Sequence, residues 1–93
     1  KDLPGRPDIV LPRFNKVIFV NGCFWHGHKG CRRATVPKTR KRFWKEKIKK
    51  NKDRDKRSLK ELKQAGYSSL TVWECETKDL NVLSKQIEIF IKE

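Results

Sequence analysis

The segment Cys23-Phe24-Trp25-His26-Gly27-His28-Lys29-Gly30-Cys31 holds two thiols and two imidazoles, and Cys75 adds a third thiol far downstream. Three thiolates and one imidazole make a closed tetrahedral zinc site, since zinc accepts a mixed sulfur and nitrogen set without redox chemistry. That set uses every cysteine and one of the 2 histidines. Spacing alone allows either His26 or His28 as the fourth ligand. A closed site keeps no open position for water, so this zinc is read as structural. The histidine left over is an imidazole beside a metal knot, able to move a proton near neutral pH.

The rest of the composition gives that imidazole a target. Lys and Arg number 24 against 11 Asp and Glu, a formal charge of +13. A balance this basic is the footprint of a polyanionic partner. An odd cysteine count argues against a disulfide framework, and thiolate ligation implies a reducing compartment. No run of about 18 apolar residues would span a membrane, and no secretory leader opens the chain. The first residue is Lys1 rather than Met, which reads as a fragment or a missing start. The 93 residues make one small domain whose core needs a staple.

The elements that must position these residues follow from periodicity. Residues 1–8 read as loop, because Pro4, Gly5 and Pro7 interrupt regular structure. Ile9-Val10-Leu11 is a short apolar run, and Pro12 to Asn15 a turn. Lys16 to Val20 is the strongest strand signal, apolar on both faces and so central in a sheet. Asn21-Gly22 ends it, and the Cys/His segment runs as a loop to Ala34. Pro37 and Thr39 open a helix reaching Ala65, with Gly66 as its stop and Asn51 as a candidate break. Trp44, Ile48, Leu59 and Leu62 form its apolar stripe. Asp55 lies eleven residues from Trp44, which at about 100° per residue is about 20° away on the same face. An inward carboxylate needs a partner or a metal. Lys38 to Lys63 is a charged helix face. Leu70 to Trp73 is a second buried strand ending at Glu74-Cys75, and Leu80, Leu83, Ile87 and Ile91 mark a final amphipathic helix. The expected fold class is an α/β sandwich.

Pro7-Asp8 ahead of a strand is the first half of the Pro-Asp…Asp/Glu-x-Lys nuclease pattern. With it stand Leu3-Pro4-Gly5-Arg6, Val17-Ile18-Phe19-Val20-Asn21-Gly22-Cys23-Phe24-Trp25-His26, Val36-Pro37-Lys38-Thr39-Arg40, Phe43-Trp44, Lys50-Asn51-Lys52-Asp53-Arg54-Asp55 and Val72-Trp73-Glu74-Cys75. Together, in order and spacing, these segments resemble the very short patch repair (Vsr) endonucleases over about residues 3–75.

The resemblance implies a restriction-endonuclease-like core of the PD-(D/E)xK type, a mixed sheet flanked by helices, as a single domain over residues 1–93 lacking the family's N-terminal region. It implies a Mg²⁺-dependent enzyme that nicks double-stranded DNA at T·G mismatches during mismatch repair, with a structural zinc. Asp8 matches the metal-binding aspartate and the Val20 carbonyl the backbone ligand. His26 matches the catalytic histidine and Asp55 its acidic partner. Cys23, His28, Cys31 and Cys75 match the zinc ligands, which selects His28. Phe24 and Trp25 match aromatics that wedge into the base stack. The implied protein is a monomer of the bacterial cytoplasm, at the nucleoid, with mismatch-repair proteins as partners.

The chemistry suits these types. Mg²⁺ supplies Lewis acidity and lowers the pKa of bound water, and one carboxylate leaves it largely hydrated. Lys38, Arg40, Lys41 and Arg42, near the helix start, are candidate phosphate contacts. Two departures from the family pattern matter. Asn21 stands where the family usually has a second histidine, and an amide binds phosphate but carries no proton. One extra residue separates His28 from Cys31. A zinc-stapled DNA-binding domain without cleavage, and a nickase of the same fold with another specificity, are the competing readings.

Overall fold

The computed structural model describes residues 3–93; the loop expected at residues 1 and 2 lies outside them. Its strands are β1 (Ile9–Leu11), β2 (Lys16–Asn21) and β3 (Ser68–Trp73), and its helices α1 (Lys41–Gln64) and α2 (Leu80–Lys92). Short 3₁₀ turns occupy Pro12–Phe14, Arg32–Ala34 and Glu74–Lys78. The sheet order is β1-β2-β3, so the strand read as central is central. β1 and β2 are antiparallel, with Ile9 opposite Ile18 and Leu11 opposite Lys16. β2 and β3 are parallel, with Ile18 beside Leu70 and Val20 beside Val72. Parallel strands need a long crossover, and α1 provides it. The result is a small α/β fold with a mixed sheet and two helices.

Side chains alternate along a strand, so each register assigns its partners to one face. Ile18, Leu70 and Val72 share a face with Leu11, and there Phe90, Leu83 and Ile87 of α2 pack on them. Val17 and Phe19 share the opposite face, on which α1 lies along β3. Only Val17, Ile18, Cys23, Ile48, Leu62, Val72 and Phe90 are buried hydrophobics among the described residues. Each is worth roughly 1.5–3 kcal/mol on burial, a small core that makes a metal staple useful. Lys16 is also buried, and its Nζ donates to the carbonyls of Phe90 at 2.5 Å and Ile91 at 3.1 Å. A cation there neutralises the negative end of α2.

Several expectations need correction. α1 begins at Lys41, not at Pro37 or Thr39. Arg40 is its N-cap in left-handed geometry, and no side chain caps the helix. Asn51 does not break it; one helix runs through that position because the amide bonds outward, to the Trp25 carbonyl. β2 is not apolar-buried throughout, since Val20 is 46% exposed where β1 has ended. Leu80 is exposed at the first turn of α2, and Phe90 takes a core place instead. Asp79 caps α2 by accepting from the N–H groups of Asn81 and Val82, and Gly66 stops α1 with φ +92°. Among the described residues no helix is long and apolar enough to cross a membrane.

Candidate metal centre and cleft

Cys23 follows the end of β2, Cys75 follows the end of β3, and the loop between β2 and α1 brings His28 and Cys31 over both. The ligand atoms of these four residues lie within 4.8 Å of one another. His28 Nδ1 stands 3.6 Å from Cys75 Sγ. A tetrahedral zinc with its usual bond lengths requires about 3.6 Å between a nitrogen and a sulfur ligand, so His28 and Cys75 already stand at a ligand-pair distance and the cluster could hold zinc after a small contraction. Neighbours fix the ligands in turn. The His28 ring stacks on Trp73 at 4.1 Å, and the Cys23 N–H donates to Glu74 Oε1 at 3.4 Å. Electrostatics point the same way. Burial raises the Cys31 thiol, but hydrogen bonds from the Arg33 backbone, His28 and the other two cysteines outweigh it and bring it down to about 7. Burial and then the neighbouring Cys23 and Cys31 push Cys75 up to about 11. The site ionises one thiol readily and resists the third, an imbalance that a bound cation removes.

The same loop carries His26 to the opposite side, against α1. His26 Nδ1 lies 2.5 Å from Asp55 Oδ2, both side chains being partly exposed. The helical stripe therefore does turn Asp55 inward, onto the imidazole. Gly27 makes this seating possible. It has φ +60°, and a Cβ there would lie 2.8 Å from Ile48 Cγ2. Asn51, one turn before Asp55, donates to the Trp25 carbonyl at 2.9 Å. Helix α1 thus holds the loop on both sides of His26.

Asp8 approaches from β1. Beyond the first pair of β1 the register is broken, since the Asp8 N–H donates to the Ile18 carbonyl, already opposite Ile9, at 3.1 Å. The Val20 N–H goes instead to Asp8 Oδ2 at 2.6 Å. Val20 lines the same cleft as Asp8, and its backbone carbonyl could serve as a second oxygen donor there. A carboxylate and a backbone carbonyl are a set that suits a hydrated Mg²⁺. Asp8, Val20, Asn21, His26 and Asp55 all line one cleft of about 650 Å³.

The other residues singled out from the sequence fall elsewhere. Phe24 and Trp25 form an edge-to-face cluster with Trp44, at centroid distances of 5.2 to 5.8 Å. Trp25 remains 48% exposed while Phe24 is partly covered. Lys38 and Arg40 precede α1, and Lys41 and Arg42 open it; all four are exposed and none lines the cleft. The cations that do line it are Arg6, Arg54 and Arg57, which the sequence reading passed over. A usable signal existed: Arg54 adjoins Asp55, and Arg57 lies less than a turn further on.

The fold and cleft define a class: a basic α/β protein with a Cys/His metal knot beside an acid–imidazole pair. Comparison with known proteins narrows it. Residues 1–33 match the family described as "DNA mismatch endonuclease Vsr". A type II nicking enzyme of Xanthomonas oryzae, V.XorIIP, is 48% identical over 87 residues, covering 94% of this chain and 63% of that protein. The DNA mismatch endonuclease Vsr of Escherichia coli is 46% identical over 84 residues, 90% of this chain and 53% of its own length. The type II nicking enzyme V.NmeAIP of Neisseria meningitidis is 40% identical over 89 residues, 96% of this chain and 63% of that protein. The chain belongs to the Vsr family and spans between about half and two thirds of the length of these relatives.

Proposed function

We propose that the cleft is the active site of a Mg²⁺-dependent endonuclease that nicks double-stranded DNA at T·G mismatches, on a core of the PD-(D/E)xK type. The observation that carries this reading is the convergence of Asp8, the Val20 carbonyl and the His26–Asp55 pair on one cleft of a strongly basic chain. The names of its relatives, a DNA mismatch endonuclease and nicking enzymes, support it.

Asp8 and the Val20 carbonyl would hold Mg²⁺. When bound, the ion supplies Lewis acidity toward the phosphodiester and makes water a better nucleophile near neutral pH. Asp55 holds His26 through Nδ1, which fixes the tautomer and leaves Nε2 to move a proton. Asn21 hydrogen-bonds a phosphate oxygen without carrying a proton. His26 is then the one imidazole available to chemistry, because the zinc-type knot takes His28. Zinc at Cys23, His28, Cys31 and Cys75 keeps the loop that bears His26 at the end of the sheet. Trp25, with Phe24 and Trp44 beneath it, enters the stack where a mismatch opens cheaply. Lys38, Arg40, Lys41 and Arg42 contact phosphates along the duplex. One chain builds the whole cleft, so the working unit is a monomer. Its place is with chromosomal DNA in the bacterial cytoplasm, alongside the proteins that complete mismatch repair.

A second reading, DNA binding without cleavage, has Asn21 in its favour. Nicking of matched and T·G duplexes, with Mg²⁺ and with chelator, separates the two. The proposal predicts a single Mg²⁺-dependent cut beside the mismatched thymine. Binding with no cut under any divalent condition would favour the second.

A further inference from the structure

The cleft holds three carboxylates, Asp8, Asp55 and Glu61, and three guanidiniums, Arg6, Arg54 and Arg57. Asp55 is engaged by His26, and Asp8 by the Val20 N–H. None of the three arginines forms an ion pair within 4.0 Å among the described residues. Guanidiniums surrounded by acids yet left unpaired are available to an anion from outside. We infer that Arg6, Arg54 and Arg57 form a phosphate-gripping wall that holds the scissile phosphodiester against the acid–imidazole pair. This rests on the nuclease reading above and adds to it a subsite that family membership does not assign.

Three features bring the arginines together. Arg54 and Arg57 are three residues apart on α1, a spacing that makes side chains neighbours on one helix face. Gly5 seats the N-terminal loop on the next residue: a Cβ on Gly5 would lie 2.8 Å from Ser58 Cβ. Arg6 follows immediately with φ +49°, a left-handed backbone that a non-glycine residue rarely adopts. The turn is closed by the Arg6 N–H donating to the Leu3 carbonyl at 3.1 Å. The loop and the helix thus deliver cations to one cleft from two directions. Guanidinium forks suit this work, because they bind phosphate oxygens in pairs and stay charged at every working pH. The need is also clear. An incoming phosphate meets Asp8, Asp55 and Glu61, and a cation at Asp8 offsets only part of that charge. The lysines elsewhere on α1 do not line the cleft and serve the duplex at longer range.

The test compares Arg54→Gln, Arg57→Gln and the double variant with Lys85→Gln, an equal charge loss on exposed α2. Single-turnover nicking is measured at saturating duplex and Mg²⁺, duplex affinity is measured separately, and circular dichroism checks folding. Expected are falls of about tenfold for each single variant and about 100-fold for the double, duplex affinity within about threefold of native, and no change for Lys85→Gln. Inorganic phosphate titrated into the full chain should shift the Nε–H resonances of Arg54 and Arg57, with affinity lost in the double variant. Phosphate binding without nicking by the native chain would keep the subsite and sink the nuclease reading. Native nicking with phosphate binding unaltered in the double variant would sink the subsite alone, as would a double variant that nicks at the native rate.

Discussion

Asp55→Asn should slow nicking about 10- to 30-fold and leave folding and duplex affinity near native. The Asp55 carboxylate touches His26 Nδ1 at 2.5 Å, with 22% of the His26 side chain and 30% of Asp55 exposed. A hydrogen bond to a charged group contributes roughly 1.5–3 kcal/mol. Partial exposure screens the pair and favours the lower part of that range, about 1.5–2 kcal/mol. With about 1.4 kcal/mol per factor of ten, the barrier rises by the fold-change stated. Asparagine keeps the shape and one oxygen acceptor. What it removes is the negative charge that steadies His26 as it takes a proton. Stability should hardly move, because the Asn51 bond to the Trp25 carbonyl and the Gly27 contact with Ile48 still tether the loop. The assay is single-turnover nicking of a T·G duplex at saturating enzyme, beside thermal melting and a binding isotherm. A rate within twofold of native would refute the role given to Asp55. So would a slower rate matched by an equal loss of thermal stability, which would make the carboxylate a tether only.

Three other outcomes follow from the same geometry. Gly27→Ala combines a left-handed backbone with a Cβ pressed on buried Ile48, and should destabilise the domain by about 1–3 kcal/mol in denaturant titrations; an unchanged midpoint would show that the loop is not seated on α1. Zinc affinity should fall as pH drops from about 8 to 6, because the metal must displace protons from its thiols. Cys75, at about 11, contributes across that whole window, while Cys31, at about 7, gains its proton only toward the acid end, so the slope should steepen below about pH 7 in competitive chelator titrations; a pH-independent affinity would remove these thiols from the site. Trp25→Ala should weaken T·G duplexes by about 1–3 kcal/mol relative to matched ones in binding isotherms, and equal weakening of both with a lower melting temperature would return the ring to its cluster with Phe24 and Trp44.

What the sequence made legible was local or periodic. An apolar β-branched run placed β2 at the sheet centre, and the 100° helical step put Asp55 on the face that meets His26. Ligand types and clustering pointed to the Cys/His knot, whereas spacing left His26 and His28 equivalent. Only the resemblance chose between them, and the geometry has His28, not His26, among the thiols. What stayed illegible depends on contacts between distant segments. Lys16 opens a strand that is otherwise apolar, yet it is buried because the end of α2 takes its ammonium group. The start of α1 was misplaced because Thr39 looked like a capping residue, while the chain enters the helix through a left-handed Arg40. Gly5 and Gly27 looked like ordinary loop glycines until α1 pressed against both. Of the cleft arginines, Arg54 and Arg57 were hidden in a helix whose every turn is basic, and Arg6 in a loop.

The central claim is that Asp8 anchors the metal of a DNA-nicking site, and Asp8→Ala tests it most directly. Single-turnover nicking of a T·G duplex and equilibrium binding to the same duplex are measured side by side across a Mg²⁺ series. Asp8 is the cleft carboxylate that meets β2, its Oδ2 accepting the Val20 N–H, while Asp55 is taken up by His26. The account predicts nicking by the native chain that saturates with Mg²⁺, no detectable nicking by Asp8→Ala, and duplex affinity equal to or above native. Nicking by Asp8→Ala at a rate near native would contradict it and place the chemistry elsewhere on the molecule.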